Sequence, residues 1–259
     1  MALKASKALR NGMLATAAFR QLMTDCVLNV YTGSQPASAD AAVTGTLLCT
    51  YTNGGVAFVN EVRAAGTITL SGGSGSVDSV TVAGIEILGA VIPFNSDLTQ
   101  TALDVATQIN YYHDHKIVTA SASGAVVTLT AQRGFGTDAN GLAVVSATTT
   151  MVGTDVNIGT AVAGVDAVNG LNWDVTAAGV ITKAAAEVWE GDAVATGTAG
   201  WFRFTAATAD PGTLDSSELY PRLDGAVGTS GAELNLTNLS FVDTVPQVIT
   251  SFALTFPTS

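Results

Sequence analysis

Gly197-Thr-Ala-Gly-Trp-Phe-Arg-Phe204, Leu223-Asp-Gly-Ala-Val-Gly-Thr-Ser-Gly-Ala-Glu-Leu-Asn-Leu236 and Val248-Ile-Thr-Ser-Phe-Ala-Leu-Thr-Phe256 decide the fold. With the Gly-, Ser- and Asn-bearing turns around them, they make the stretch from about Gly170 to Ser259 read as strand, tight turn, strand. Such a segment specifies a rigid β scaffold, and its product is a surface. Side chains alternate along a strand, so Trp201 and Arg203 share one face while Phe202 and Phe204 share the other. One face is core. Trp201 with Arg203 is a candidate exposed binding patch, since both types are enriched at interface hot spots; the competing reading buries Trp201 under Arg203.

Working outward, residues 3–24 show helical spacing, with Leu9, Met13, Leu14, Ala17, Ala18 and Leu22 on one broad stripe. The stripe reads as a helix packed on its own sheet, or as an N-terminal arm that docks on another subunit through Leu9, Met13 and Leu14. Strands 26–32 and 46–52 follow. From about Ala64 to Asp166 the chain carries its own complete set of elements. These include two short strands about Ala83-Gly84, a helix from Asp97 to Tyr112 and a hairpin through Ser123-Gly124. The helix places Ala102, Val105, Ala106 and Ile109 on one face. Strands plus one helix over this length suffice for an independent α+β domain. The flanks look incomplete alone. The expected fold is therefore mainly β: an antiparallel β-sandwich of 1–63 plus 167–259, with an N-terminal helix, interrupted by a small α+β domain over 64–166.

Charged residues are only 12% of the 259, against about a quarter in a typical soluble domain. Thr, Ser, Asn, Gly and Ala must then cover much of the surface, which suits subunits that cover one another in an assembly. Ten basic and 21 acidic residues give a formal charge of −11, and no Lys/Arg cluster is available to neutralise phosphate, so nucleic acid is not an expected partner. No apolar run has membrane-spanning length, and the basic N-terminus lacks a following hydrophobic segment, so neither a membrane partner nor a signal peptide is expected.

The reactive residues are sparse. His113-Asp-His115 holds the only histidines and reads as a solvated helix end rather than a metal site. Cys26 and Cys49 read as small buried hydrophobes, with a disulfide as the alternative. Glu187 and Glu190 flank Trp189, a composition seen in sugar sites, but they read rather as a solvent-facing pair beside a core Trp. Gly72-Gly-Ser-Gly75 has no following Lys and is a turn. Asp78, Asp97, Asp138 and Asp155 lack calcium-loop spacing. No catalytic, cofactor or metal residue is assigned.

Leu9-Arg-Asn-Gly-Met-Leu14, Leu28-Asn-Val-Tyr-Thr-Gly-Ser-Gln-Pro-Ala37 and the stretch from Gly179-Val-Ile-Thr-Lys183 to Asp224-Gly-Ala-Val-Gly-Thr-Ser-Gly231 together resemble a family of small virion proteins of tailed bacteriophages. The segment with Val80-Thr-Val-Ala-Gly-Ile-Glu-Ile-Leu88 and Thr119–Thr130 resembles a module recurring in phage structural proteins. The resemblance implies a non-enzymatic virion subunit, assembled in the host cytoplasm, whose partners are other virion proteins and copies of itself. It implies docking on capsid, neck or tail through the sandwich, with the inserted domain outward. The alternative is a tail-fibre adhesin that binds a host receptor or surface glycan.

Overall fold

Turn chemistry cuts this chain into short antiparallel strands. At Ala83-Gly84 both residues have positive φ, 51° and 79°, the backbone of a two-residue hairpin turn, and Val82 pairs directly with Ile85. The computed structural model describes residues 3–15, 17–112, 117–175 and 179–255. Strand β1 (Lys4–Ala5) precedes helices α1 (Lys7–Ala15) and α2 (Phe19–Leu22), then β2 (Val27–Thr32) and β3 (Leu47–Asn53). Strands β4 (Ala65–Ser71), β5 (Ser76–Val82), β6 (Ile85–Glu86) and β7 (Ile92–Pro93) lead into helix α3 (Leu98–Tyr111). Then come β8 (Val118–Ser123), β9 (Val126–Ala131), a 3-10 turn at Gly136–Ala139, β10 (Val144–Thr149) and β11 (Val152–Val156). The rest are β12 (Trp173–Val175), β13 (Val180–Lys183), β14 (Trp189–Asp192), β15 (Gly197–Thr205) and β16 (Arg222–Gly228), followed by β17 (Leu234–Asn235), β18 (Ser240–Phe241), β19 (Pro246–Ile249) and β20 (Ala253–Thr255). The protein is mainly β.

The chain divides into two compact units, Met1–Asn60 with Ala167–Ser259, and Glu61–Asp166. The cut falls at 60/61 rather than 63/64 for a local reason. Glu61 Oε1 accepts from the Gly134 and Gly136 amides (2.7 and 3.2 Å), and Arg63 Nε donates to the Ala131 carbonyl (2.6 Å), so both belong to the second unit.

In the first unit, nine strands form one sheet in the order β1-β16-β15-β2-β3-β14-β19, with β17 on β16 and β18 on β15. Every pairing in it is antiparallel except β16 with β17. Strands β12-β13-β20 form a second sheet. Both sheets feed one aromatic core, the arrangement of a β-sandwich. Trp173 from β12 lies edge-on to Trp189 from β14 (5.3 Å, 89°) and 5.1 Å from Phe204 of β15. Each indole N–H is satisfied, Trp173 by the Met23 carbonyl and Trp189 by Glu187 Oε2.

The expected helix over 3–24 is replaced by a strand and two helices. Lys4 and Ala5 pair with Asp224 and Leu223. Ser6 then caps α1, its hydroxyl accepting from the Leu9 amide (3.2 Å). After α1 the chain turns at Ala18, which is extended (φ −65°, ψ 155°), so that Leu22 folds back onto Gly12. A Cβ at Gly12 would lie 2.8 Å from Leu22 Cδ1, so the glycine lets the Leu22 side chain lie close against α1.

The second unit has two four-stranded sheets, β10-β5-β6 with β7 on β5, and β11-β4-β9-β8. Helix α3 packs on β8 and β9. Asp97 caps it, accepting from the Gln100 amide (2.9 Å), and the expected face of Ala102, Val105, Ala106 and Ile109 is buried against Ile68, Val80, Val127 and Leu129.

Candidate functional site

Trp201 and Arg203 do share a face of β15, but that face is not a surface. Trp201 is 0% exposed and Arg203 1%. Arg203 forms a two-pronged ion pair with Asp224 of β16, Nε to Oδ1 and Nη2 to Oδ2, both 2.7 Å, and its Nη1 donates to the Ala41 carbonyl (3.1 Å). The guanidinium lies 5.4 Å from the Trp201 ring, whose other neighbour is Tyr31, stacked at 4.6 Å. Trp201 Nε1 donates to the Thr44 carbonyl. Beside this group, Arg222 pairs with Asp210 through Nε and Nη2 (both 2.6 Å) and donates to the Thr213 carbonyl (2.9 Å). Both arginines thus fasten long connections, 33–46 and 206–221, over the outer face of the sheet. Alternation told which side chains share a face, not that two loops cover it.

Electrostatics follow from that burial. Desolvation raises the Asp224 carboxyl, and Arg203 pulls it partly back. Burial pushes the Tyr31 hydroxyl up to about 12 despite the nearby Arg203. Asp215 is held below the usual carboxylate range: burial opposes this, but the Tyr220 and Leu219 amides and the Arg222 charge outweigh it. These groups are structural. A two-pronged guanidinium–carboxylate pair enclosed in protein orders loops and offers no free acid or base.

The N-terminal candidates separate. Leu9 is fully buried and Met13 packs half-buried on the core, so neither forms an exposed docking face; Leu14 is 88% exposed. On the same side of α1 lie Lys7, Arg10 and Asn11, all exposed. Lys7 pairs with Glu218 (3.3 Å). Among the described residues, the Arg10 and Arg20 side chains have no hydrogen-bond or ion-pair partner. The signal for this basic face was present in the sequence: residues 1–24 contain Lys4, Lys7, Arg10 and Arg20 and no Asp or Glu.

The other candidates are absorbed by the fold. Cys26 and Cys49 are free and buried; β2 pairs Cys49 with Val30, while Cys26 bridges Leu171, so no disulfide joins them. Burial pushes the Cys49 thiol up to about 12. Trp189 is core, Glu187 accepts from Asn172 and Trp189, and Glu190 sits opposite Val248. Asp78 accepts from Ser76 and Thr149, Asp97 caps α3, and Asp155 accepts from Ser146. His113-Asp114-His115 lies outside the described residues. Among the described residues no group of three or more His, Cys, Asp or Glu is placed to hold a metal, and no helix is long and apolar enough to cross a membrane.

One open groove in the sandwich unit, about 740 Å³, is lined by Thr182, Lys183, Glu233, Asn235, Ser251 and Phe252 among others. Lys183 is spent on the Ala184 and Glu187 carbonyls, and Glu233 accepts from the Ala226 amide. Asn235 exchanges hydrogen bonds with Ala232, so what remains is the hydroxyls of Thr250 and Ser251 beside Phe252 and three alanines. Neither a family model, nor a curated protein, nor a solved structure matches this chain.

Proposed function

We propose that this chain is a non-enzymatic structural subunit of a tailed-bacteriophage virion, an accessory protein of the decoration, cement or tail-shell type that assembles on capsid, neck or tail. The observation that carries this reading is the architecture. A sandwich with its own aromatic core is interrupted between Asn60 and Ala167 by a unit with a second core. The sandwich is the docking scaffold in this reading, and the insertion is the part free to vary. The low charged fraction supports it, because such a surface suits coverage by neighbouring subunits. The resemblance of three sandwich segments and of the insertion to phage structural proteins supports it independently.

Mass spectrometry and reconstruction of purified particles test the proposal directly. Many symmetric copies point to decoration or tail shell, few copies to neck or fibre, and absence from particles overturns it. The docking assignment has its own test, because Val59 and Val168 exchange both backbone hydrogen bonds (3.0 and 3.1 Å). Removing 61–166, joining Asn60 to residue 167 and making Ala167→Gly leaves Asn-Gly, a preferred two-residue hairpin turn, between that pair. The shortened chain should enter particles. Loss of incorporation by a folded deletion variant refutes docking through the sandwich.

The second reading, a glycan-binding adhesin, is favoured by the groove, whose Thr250 and Ser251 hydroxyls beside the Phe252 ring suit a sugar's mixed polar and apolar faces. Binding of the isolated chain on a glycan array, abolished by filling the groove with Ser251→Trp, would select it.

A further inference from the structure

We infer that the sandwich unit associates head to tail with a second copy of this chain, the basic face of α1 and α2 docking on an acidic, valine-bearing edge around β19. This names a partner for the structural role proposed above and rests on that reading only for its biological setting.

The two surfaces belong to opposite edges of one sheet. Strand β1 and the helices that follow it stand beyond β16, while β19 ends the order at the other side. At the first edge Lys7 is neutralised by Glu218, so the free positive charge comes from Arg10, on the same helix as the exposed Leu14, and from Arg20 of α2. At the second edge, β3, β14 and β19 contain no Lys or Arg. Asp192 and Asp243 are exposed there, held together by the Thr244 amide on the Ala193 carbonyl and the Ala193 amide on the Val245 carbonyl (2.7 and 3.1 Å). On the same edge Val194, Val245 and Val248 are 57%, 43% and 52% exposed.

Among the described residues strand β19 pairs with β14 on one side only, so it also presents a sheet edge, shortened and opened by Pro246. Two acidic edges repel, as do two basic faces, so complementary charge favours the unlike pairing. An interface between unlike patches is heterologous, and it propagates into a ring or a filament.

Sedimentation velocity of the full chain at about 0.05 M and about 0.5 M salt tests this. The expected result is assembly beyond the monomer that weakens at least about tenfold at the higher salt. Arg10→Glu with Arg20→Glu, and Asp192→Lys with Asp243→Lys, should each give monomers with an unchanged tryptophan-fluorescence melt. Mixed in equal amounts, the two variants offer an intact face to an intact edge and a reversed face to a reversed edge, so assembly beyond the monomer should return. A wild-type chain that stays monomeric, either variant still assembling, or a mixture that stays monomeric overturns the inference. A monomeric chain found in particles overturns it and leaves the structural role standing. Assembly as described in a chain missing from particles overturns the role and leaves the pairing.

Discussion

Replacing Asp224 by Leu strands the Arg203 guanidinium, 1% exposed, with no carboxylate and only the Ala41 carbonyl and the Trp201 face for partners. Breaking one side of a buried pair costs about 3–5 kcal/mol, because the surviving charge can neither reach water nor lose its proton. Arg203→Met should cost less. The abandoned Asp224 carboxyl, already raised by burial, escapes its charge by taking up a proton. The double variant removes both charges at similar volume and forfeits mainly the Ala41 bond, worth roughly 1 kcal/mol, so it should be far more stable than Asp224→Leu alone. Urea unfolding followed by tryptophan fluorescence isolates the effect, since Trp173, Trp189 and Trp201 all lie in the sandwich unit. At an m of about 2 kcal/mol per M, a loss of about 4 kcal/mol moves the midpoint down by about 2 M. A loss below about 1 kcal/mol for Asp224→Leu, or a double variant as unstable as the sum of the singles, would refute the view that this pair is enclosed and mutually dependent.

Two further outcomes follow from the same burial. The thiols should be silent to a thiol reagent in the native chain at neutral pH and both react after unfolding. Cys49 and Tyr31 are each raised to about 12 in the folded chain, so the unfolded chain releases their protons first; stability should hold below about 9 and fall as pH climbs towards 12, read from melting temperature against pH. Early thiol reaction in the native state refutes this. Gly170→Ala puts a Cβ 2.4 Å from Asp25 Cα and should cost about 1–3 kcal/mol, whereas Gly73→Ala, with nothing within 4 Å, should be neutral or slightly stabilising; equal melts would refute the packing at Gly170.

Local signals were legible wherever they came from a few neighbouring residues. Ala83-Gly84 and Gly124 marked their hairpins because positive φ selects few residues, although the second turn is Gly124-Ala125, with Ser123 paired to Val126 rather than in it, and α3 announced both its Asp97 cap and its buried face. The mainly β class followed from alternation, and the point where the chain changes texture lay within three residues of the structural cut. The N-terminal stripe misled. Helical spacing over 3–24 is blind to Lys4–Ala5 pairing with β16 more than 200 residues on, and to the turn at Ala18 that returns Leu22 to Gly12.

What the chain alone determined, then, was the class of scaffold, its turns, and the unequal distribution of charge that leaves residues 1–24 without an acid. What only the tertiary structure decided was exposure. Trp201 and Arg203 face one way by the geometry of any strand, but whether that face meets water depends on where residues 33–46 and 206–221 lie. Loop 33–46 is held by a hydrogen bond from Arg203 to the carbonyl of the sequence-distant Ala41, and loop 206–221 by the Arg222 bonds to Asp210 and the Thr213 carbonyl. The same holds for Leu9 and Leu14, five residues apart on one helix, of which one is core and the other surface because α1 has only one side against the sheet.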